Sequence, residues 1–321
     1  HSGISARGID NIRYFSKVKN LVAVVGGLHS PVALSELEII HKEKIIYLVP
    51  WAAATAIVDN GYKPNFVFRV SVRDEFAGSV LVREALNKGK NNIALLLENT
   101  GWGRSNQKAM TDALKAEKKE PVIVEWFNWG EKDLTPQLKR IEATKAEVIL
   151  LVANAPEGKV ILETMNRESI FLPVISHWGI TGGSFGKELS EELSKIPFEF
   201  LQTYSFLTSK SRKNQKIIQK YSDLYQITHA REIIAPVGTA HAYDLTFLLA
   251  TAIKKMGSLD RNAIRGALEN IKSHEGLVKH YKLPFSPNQH DALNSDDLFL
   301  AKYDEQGNVV PVSIETLDTL N

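Results

Sequence analysis

Short apolar runs rich in β-branched residues recur along the chain, at Leu21–Val25, Ile45–Val49, Phe66–Val70, Ile93–Leu97, Val122–Trp126, Val148–Val152 and Leu172–Ser176. None alternates regularly with polar residues, which predicts strands buried on both faces of a parallel sheet. Between them come stretches with helical spacing, at Val32–His41, Phe76–Asn87, Ser105–Ala116, Pro136–Thr144 and Glu157–Asn166. Asp133 and Thr135 are good capping types ahead of the fourth, and Pro136 suits a first helical turn. This rhythm predicts α/β architecture, with doubly wound sheets and right-handed crossovers. Further on the pattern changes. Helical stretches at about 214–225, 236–256 and 260–271 follow one another. Leu298–Tyr303 and Val309–Val312 then flank the turn Asp304–Asn308 and predict a hairpin.

A chain of 321 residues suits two lobes of about 150 residues each. Its 44% hydrophobic and 24% charged residues are the balance of a globular protein. The net charge is +2, from 39 basic and 37 acidic residues, and even the basic stretch Thr208–Lys213 reads as a solvated loop. Neither nucleic acid nor a membrane surface is implied as a partner. The absence of cysteine excludes disulfides and thiolate metal sites but leaves the compartment open. No apolar run approaches the ~18 residues that cross a bilayer. The opening His1-Ser2-Gly3-Ile4 shows no signal-peptide pattern, which fits a processed or truncated product as well as a cytoplasmic protein.

In open parallel sheets ligands sit beyond the carboxyl ends of the strands, where helix amides point outward. The loops at that end are Gly26–Ser30, Pro50–Ala54, Glu98–Gly103, Ala153–Pro156 and His177–Gly179. They hold three of the five tryptophans, Trp51, Trp102 and Trp178, which is unusual for core packing alone.

Several segments carry a resemblance as an ordered set: Val24–Ser30, Leu48–Ala53, Asn60-Gly61-Tyr62 with Phe68-Arg69, and Leu97–Gly103. They are followed by Asp133–Leu138, Ala242-Tyr243-Asp244, Phe285-Ser286-Pro287 and His290–Leu293. Together they resemble the type I periplasmic binding proteins, most nearly the leucine/isoleucine/valine-binding branch. The resemblance implies two doubly wound α/β lobes joined by three hinge crossovers, near Val70–Val72, Gln202–Phe206 and Asp291–Leu298. It puts residues 1–71 and 205–290 in the first lobe and residues 72–204 and 291–321 in the second. It also implies an opening strand–helix–strand that this chain lacks, together with a ligand contact supplied from there.

By the same resemblance Ser30 holds a ligand carboxylate through its hydroxyl and the helix-start amides. Capping the helix that starts at Pro31 is the alternative role, and the two can coexist. Ala52 matches a backbone contact, and Ala53 stands where the family has threonine, which removes a hydroxyl. Trp102 replaces a cleft tyrosine. Trp178 stands where amino-acid binders carry the acid that pairs with the ligand ammonium, and an indole offers a flat apolar wall in place of that charge. Asn154 lies where another aromatic contact is usual. Trp51 and Trp178 can instead pack beneath their loops. His29 and His177 flank the same region, with hydrogen-bonded loop histidines as the alternative.

The expected function is that of an exported, periplasmic or extracellular solute-binding protein, a monomer that delivers its ligand to an ABC permease in the membrane. The expected ligand is a small carboxylate with an apolar or aromatic body, or failing that a quaternary amine in an indole cage. A ligand-sensing ectodomain shares the same clamp and remains open. A serine hydrolase is the weaker alternative: Gly182–Gly186 fits G-x-S-x-G around Ser184, but the preceding strand ends near Ser176 and the elbow needs a serine directly after a strand. No phosphate-cradling motif is present, and His274 and His280 lack ligand spacing, so no cofactor and no metal are expected.

Overall fold

The computed structural model describes residues 1–314. In chain order they form α1 (Ser5–Ser16), β1 (Ala23–Val25), α2 (Ser30–Lys42), β2 (Ile46–Val49), β3 (Val67–Arg69), α3 (Asp74–Asn87), β4 (Ile93–Glu98), α4 (Gly101–Ala116), β5 (Ile123–Phe127) and α5 (Thr135–Ala143). Next come β6 (Val148–Val152), α6 (Ala155–Arg167), β7 (Val174–Ser176), α7 (Phe185–Glu188), α8 (Ser190–Lys195), β8 (Phe198–Gln202) and α9 (Arg212–Tyr225). The last elements are α10 (Pro236–Met256), α11 (Arg261–Glu269), β9 (Ser273–Glu275), β10 (His280–Lys282), β11 (Phe299–Tyr303) and β12 (Val309–Pro311). Every apolar run of the sequence pattern became a strand; those of β2, β3, β4, β6 and β7 are buried on both faces, whereas β1 and β5 lie at sheet edges and are only partly covered.

The chain folds as two compact units, crossing between them three times. The first comprises residues 1–74 and 238–296, the second residues 75–237 and those from 297 on. The expected boundaries differ most at 205–237, which belong to the second unit. Their tethers explain this. Tyr204 donates its hydroxyl to Asn214 Oδ1 at 2.6 Å, and Asn214 Nδ2 donates to the Phe206 carbonyl at 3.0 Å. Arg231 pairs with Asp304 at 3.3 Å in the β11–β12 turn.

The first unit is built on the parallel sheet β1-β2-β3. Helices α1 and α2 approach closely at Gly8, where any Cβ would collide with Val32 and Glu36. β1 is an outer strand, and its Val25 is 51% exposed. Beside β3 runs the segment around Asp291: Arg69 N donates to the His290 carbonyl and Ala292 N to the Arg69 carbonyl, both at 2.9 Å. Arg69 and Asp291 are fully buried and meet at 2.5 Å, while Arg73 reaches the other Asp291 oxygen at 2.6 Å. A small antiparallel pair, β9 with β10, is tied to α10 through buried Asp244. That carboxylate accepts from Leu277 N, Val278 N and the Tyr281 hydroxyl.

The second unit holds a seven-stranded sheet in the order β12-β11-β8-β7-β6-β4-β5. Strands β4 to β8 are parallel, and β11 and β12 continue the sheet antiparallel as the predicted hairpin. Leu96, Ile149, Leu151, Ile161 and Phe200 belong to its fully buried core. The outer edge at β5 carries Glu125, gripped by Arg140 through two hydrogen bonds of 2.7 Å, a charged guard against further strand pairing.

Asp291 balances two guanidiniums in a dry site, so removing it leaves uncompensated buried charge. Asp291→Ala should destabilise the chain by about 3–5 kcal/mol, measured by urea unfolding. A loss below about 1 kcal/mol, the value of an exposed pair, would show that the cluster is solvated.

Candidate functional site

At the carboxyl ends of β1 and β2 the first unit brings together five of the residues singled out in the sequence. Ser30 opens α2 and is buried, with Pro31 behind it in the first turn. Its Oγ accepts the Ala54 N–H at 3.2 Å, so the hydroxyl proton remains for an acceptor. Ala52 N donates to the Gly27 carbonyl at 2.8 Å, which locks the β2 loop onto the β1 loop. Arg69 holds the Ala52 and Ala54 carbonyls at 3.1 Å each. Ala52 and Ala53 are buried, whereas Trp51 is half-buried beside Gly238 at the start of α10. Ser71 Oγ donates to the Trp51 carbonyl at 3.1 Å, and His241 contacts the Pro50 carbonyl at 2.8 Å. Burial lowers the His241 pKa to about 4, so this histidine is a neutral donor. His29 is the cap position of α2, and its ring stands edge-on to His1 at 5.7 Å. Burial holds the His29 pKa below its ordinary value.

At the carboxyl ends of β4, β6 and β7 the second unit gathers the other three. Trp102 lies in the first turn of α4, Asn154 stands at the residue before α6 without a side-chain capping bond, and Trp178 opens a short 3-10 turn (Trp178–Thr181). Trp102 and Trp178 are 6% and 1% exposed, so both indoles are packed faces. His177 lies between them: its ring is 4.9 Å from Trp102, edge-on, and 3.7 Å from Trp178. Gly179 closes the group. A Cβ there would stand 2.6 Å from the Trp102 ring and 3.2 Å from Asn154 Oδ1.

Sequence reasoning missed the group that organises this end. Glu98, the last residue of β4, is fully buried. Its carboxyl accepts from Thr100 Oγ1 at 2.5 Å, Trp129 Nε1 at 2.9 Å and Asn154 Nδ2 at 3.1 Å, which joins the loops after β4, β5 and β6. Thr100 is also the cap of α4, accepting from Trp102 N and Gly103 N. Gly103 is required here because a Cβ would collide with the Glu98 carbonyl oxygen. Burial raises the Glu98 pKa to about 7, and the three hydrogen bonds offset only part of that rise. An acidic residue closing an otherwise apolar strand run was the available signal.

Ser184 does not sit on a nucleophile elbow. β7 ends at Ser176, the Trp178 turn intervenes, and Ser184 only precedes the four-residue α7. Among the described residues no cluster of three or more His, Asp or Glu could hold a metal, and no helix is long and apolar enough to cross a membrane.

A family model described as periplasmic binding protein matches residues 6–176. A search of curated proteins found no match. Among solved structures, a type 1 periplasmic binding protein from Bordetella pertussis Tohama I is 20% identical, covering 97% of this chain and 86% of its own, with a TM-score of 0.85. The substrate-binding protein LivJ of a Streptococcus pneumoniae branched-chain amino acid transporter, solved with isoleucine, is 18% identical at 96% and 84% coverage, TM-score 0.78. A solute-binding protein of an ABC transporter from R. palustris, solved with benzoate, is 16% identical at 97% and 82% coverage, TM-score 0.79.

Glu98 generates a pH test. Its folded-state pKa lies above the ordinary 4.5, so its contribution to stability is fully present below pH 4.5 and is lost as pH rises through about 7. At about 1.4 kcal/mol per pH unit the loss amounts to about 3 kcal/mol. Chemical unfolding should therefore show stability falling between pH 5 and pH 8, and Glu98→Gln should flatten that part of the profile. A wild-type profile equal to that of Glu98→Gln would exclude a buried, titrating carboxyl.

Proposed function

Since the chain belongs to the periplasmic binding protein family, we propose that it is the exported solute-binding component of an ABC importer and that its ligand is a small carboxylate with an apolar or aromatic body. The observation that carries the ligand class is the Trp102–His177–Trp178 aromatic group, set beside a carboxylate that already has partners. Glu98 is fully buried, already receives three donors, and is held only partly ionised near neutral pH, so it is a poor partner for a ligand ammonium. An α-amino acid would bury its ammonium against indole, at a cost of several kcal/mol, where micromolar binding totals about 8 kcal/mol.

Fold similarity does not choose the ligand. The isoleucine-bound and benzoate-bound relatives match with TM-scores of 0.78 and 0.79. The loop chemistry favours the second kind. In this reading Ser30 and the first amides of α2 take the anion, because a helix start with an O–H to donate suits a carboxylate. The Trp102 and Trp178 faces take the apolar body. Asn154 and His29 border the site, and Trp51, Ala52 and Ala53 shape the wall beside Ser30. Binding favours a closed state in proportion to the ligand's differential affinity for it, and a membrane permease reads that state.

Ser30→Ala removes a hydrogen bond to a charged group, worth about 1.5–3 kcal/mol, so carboxylate affinity should fall roughly 10- to 150-fold by calorimetry. Unchanged affinity would leave Ser30 as a helix-start residue only.

The ligand class itself is tested by tryptophan fluorescence. Benzoate and branched oxo-acids should quench it, and free leucine should not. Tight leucine binding with the acids inert would overturn the assignment. A quaternary amine whose affinity survives Ser30→Ala would point to an indole cage instead.

A further inference from the structure

Asparagine at the residue before a helix usually caps it, yet the Asn154 side chain makes no bond to the first amides of α6. It is turned instead toward the end of β4, where Nδ2 donates to Glu98 Oε2 at 3.1 Å. That bond fixes which way round the amide sits. Glu98 Oε2 also receives the Trp129 indole N–H at 2.9 Å, and Oε1 receives the Thr100 hydroxyl at 2.5 Å. An ionised carboxylate can only accept, so Asn154 presents its NH2 to Glu98 and turns its carbonyl oxygen away.

That oxygen has no use inside the fold. Asn154 is half-buried, and among the described residues its Oδ1 takes no hydrogen bond and is not enclosed. Its place is beside the indole group. A Cβ built on Gly179 would stand 3.2 Å from Oδ1 and 2.6 Å from the Trp102 ring, so both lie around one point at the strand ends. With only hydrogen at Gly179, no side chain of that residue screens Oδ1. A ligand body laid against this loop displaces water from Oδ1, and an acceptor left dry and unpaired is costly. A ligand that brings its own donor avoids the cost.

We propose that Asn154 Oδ1 selects ligands that carry an O–H or N–H donor on the apolar body, so that a hydroxy-substituted aromatic acid is preferred over the bare acid. This rests on the carboxylate reading above and narrows it. Glu98 acts in it as a positioning residue, because it decides which amide atom faces the ligand.

The probes are 3- and 4-hydroxybenzoate, with 3- and 4-fluorobenzoate as acids of similar size that lack a donor. Affinities are measured by calorimetry at pH 8, where Glu98, with its pKa raised to about 7, is chiefly ionised. The better hydroxybenzoate should bind about tenfold or more tightly than its fluoro counterpart. Asn154→Leu, similar in shape but without donor or acceptor, should bring that ratio to about one. In the wild-type protein the same hydroxybenzoate should move the Asn154 side-chain NH2 resonances downfield, as an amide does when its oxygen accepts a bond, and the fluorobenzoate should not. This readout needs no variant. Equal wild-type affinity for the two acids, a preference that survives Asn154→Leu, or unmoved Asn154 resonances would each overturn the inference and leave the carboxylate reading standing. Failure of all four acids to bind would overturn both.

Discussion

Asp291 is the constraint on which the first unit's candidate ligand loops depend. Its carboxylate is dry and faces two guanidiniums, an arrangement whose desolvation cost is repaid only by good geometry. The geometry is good because the backbone on either side of Asp291 pairs with Arg69 in strand fashion. Arg69 then has a guanidinium nitrogen turned toward Ala52 and Ala54. The Ala54 amide in turn reaches Ser30. One ion cluster therefore sets the loop after β2 and, through it, the hydroxyl that opens α2. His290, stacked on Phe68 at 4.0 Å and contacting the Val67 carbonyl, holds the same segment from the other side.

The second unit solves the same problem with the opposite arrangement. Asp291 has full cationic partners, whereas Glu98 has only neutral donors, and its charge is correspondingly less well supported. The physical consequence is a Glu98 carboxyl that burial lifts until it titrates near neutrality. Both groups perform the same mechanical task, since each binds together loops that leave different strands. Loops held rigid in this way lose less ordering entropy when a ligand binds.

The fold was legible wherever burial on both faces left an uninterrupted apolar run, as in Val148–Val152, which the structure reproduces residue for residue. β8 was harder, because Phe198-Glu199-Phe200-Leu201-Gln202 carries a charge and a polar end. β9 and β10 were missed for another reason: five of their six residues are not buried, and what places them is Asp244, on a helix more than thirty residues earlier. The division at 205–237 was set by Asn214 and by the Arg231–Asp304 pair, and neither has a local signature. The loops that carry the candidate site were legible because their position after strands follows from topology alone. The Glu98 bracket was not, since its partners lie 31 and 56 residues away and only the folded sheet makes them neighbours.

This contrast bears on how ligand choice can be read in such a chain. Strand interiors require only that side chains be apolar and of suitable volume, so many sequences satisfy them and identity drifts while the fold persists. Loops at the strand ends have a narrower task, because a buried polar group there must find its partner or carry the cost of lacking one. On the proposed reading, tryptophan in place of an acid at position 178 therefore removes a local negative charge without disturbing a single sheet hydrogen bond. The indole is accommodated because Gly179 leaves room for Trp102 and because the His177 ring separates the two larger ones. On the proposed reading, specificity falls to a few loop side chains, which the buried carboxylates of Asp291 and Glu98 hold in place.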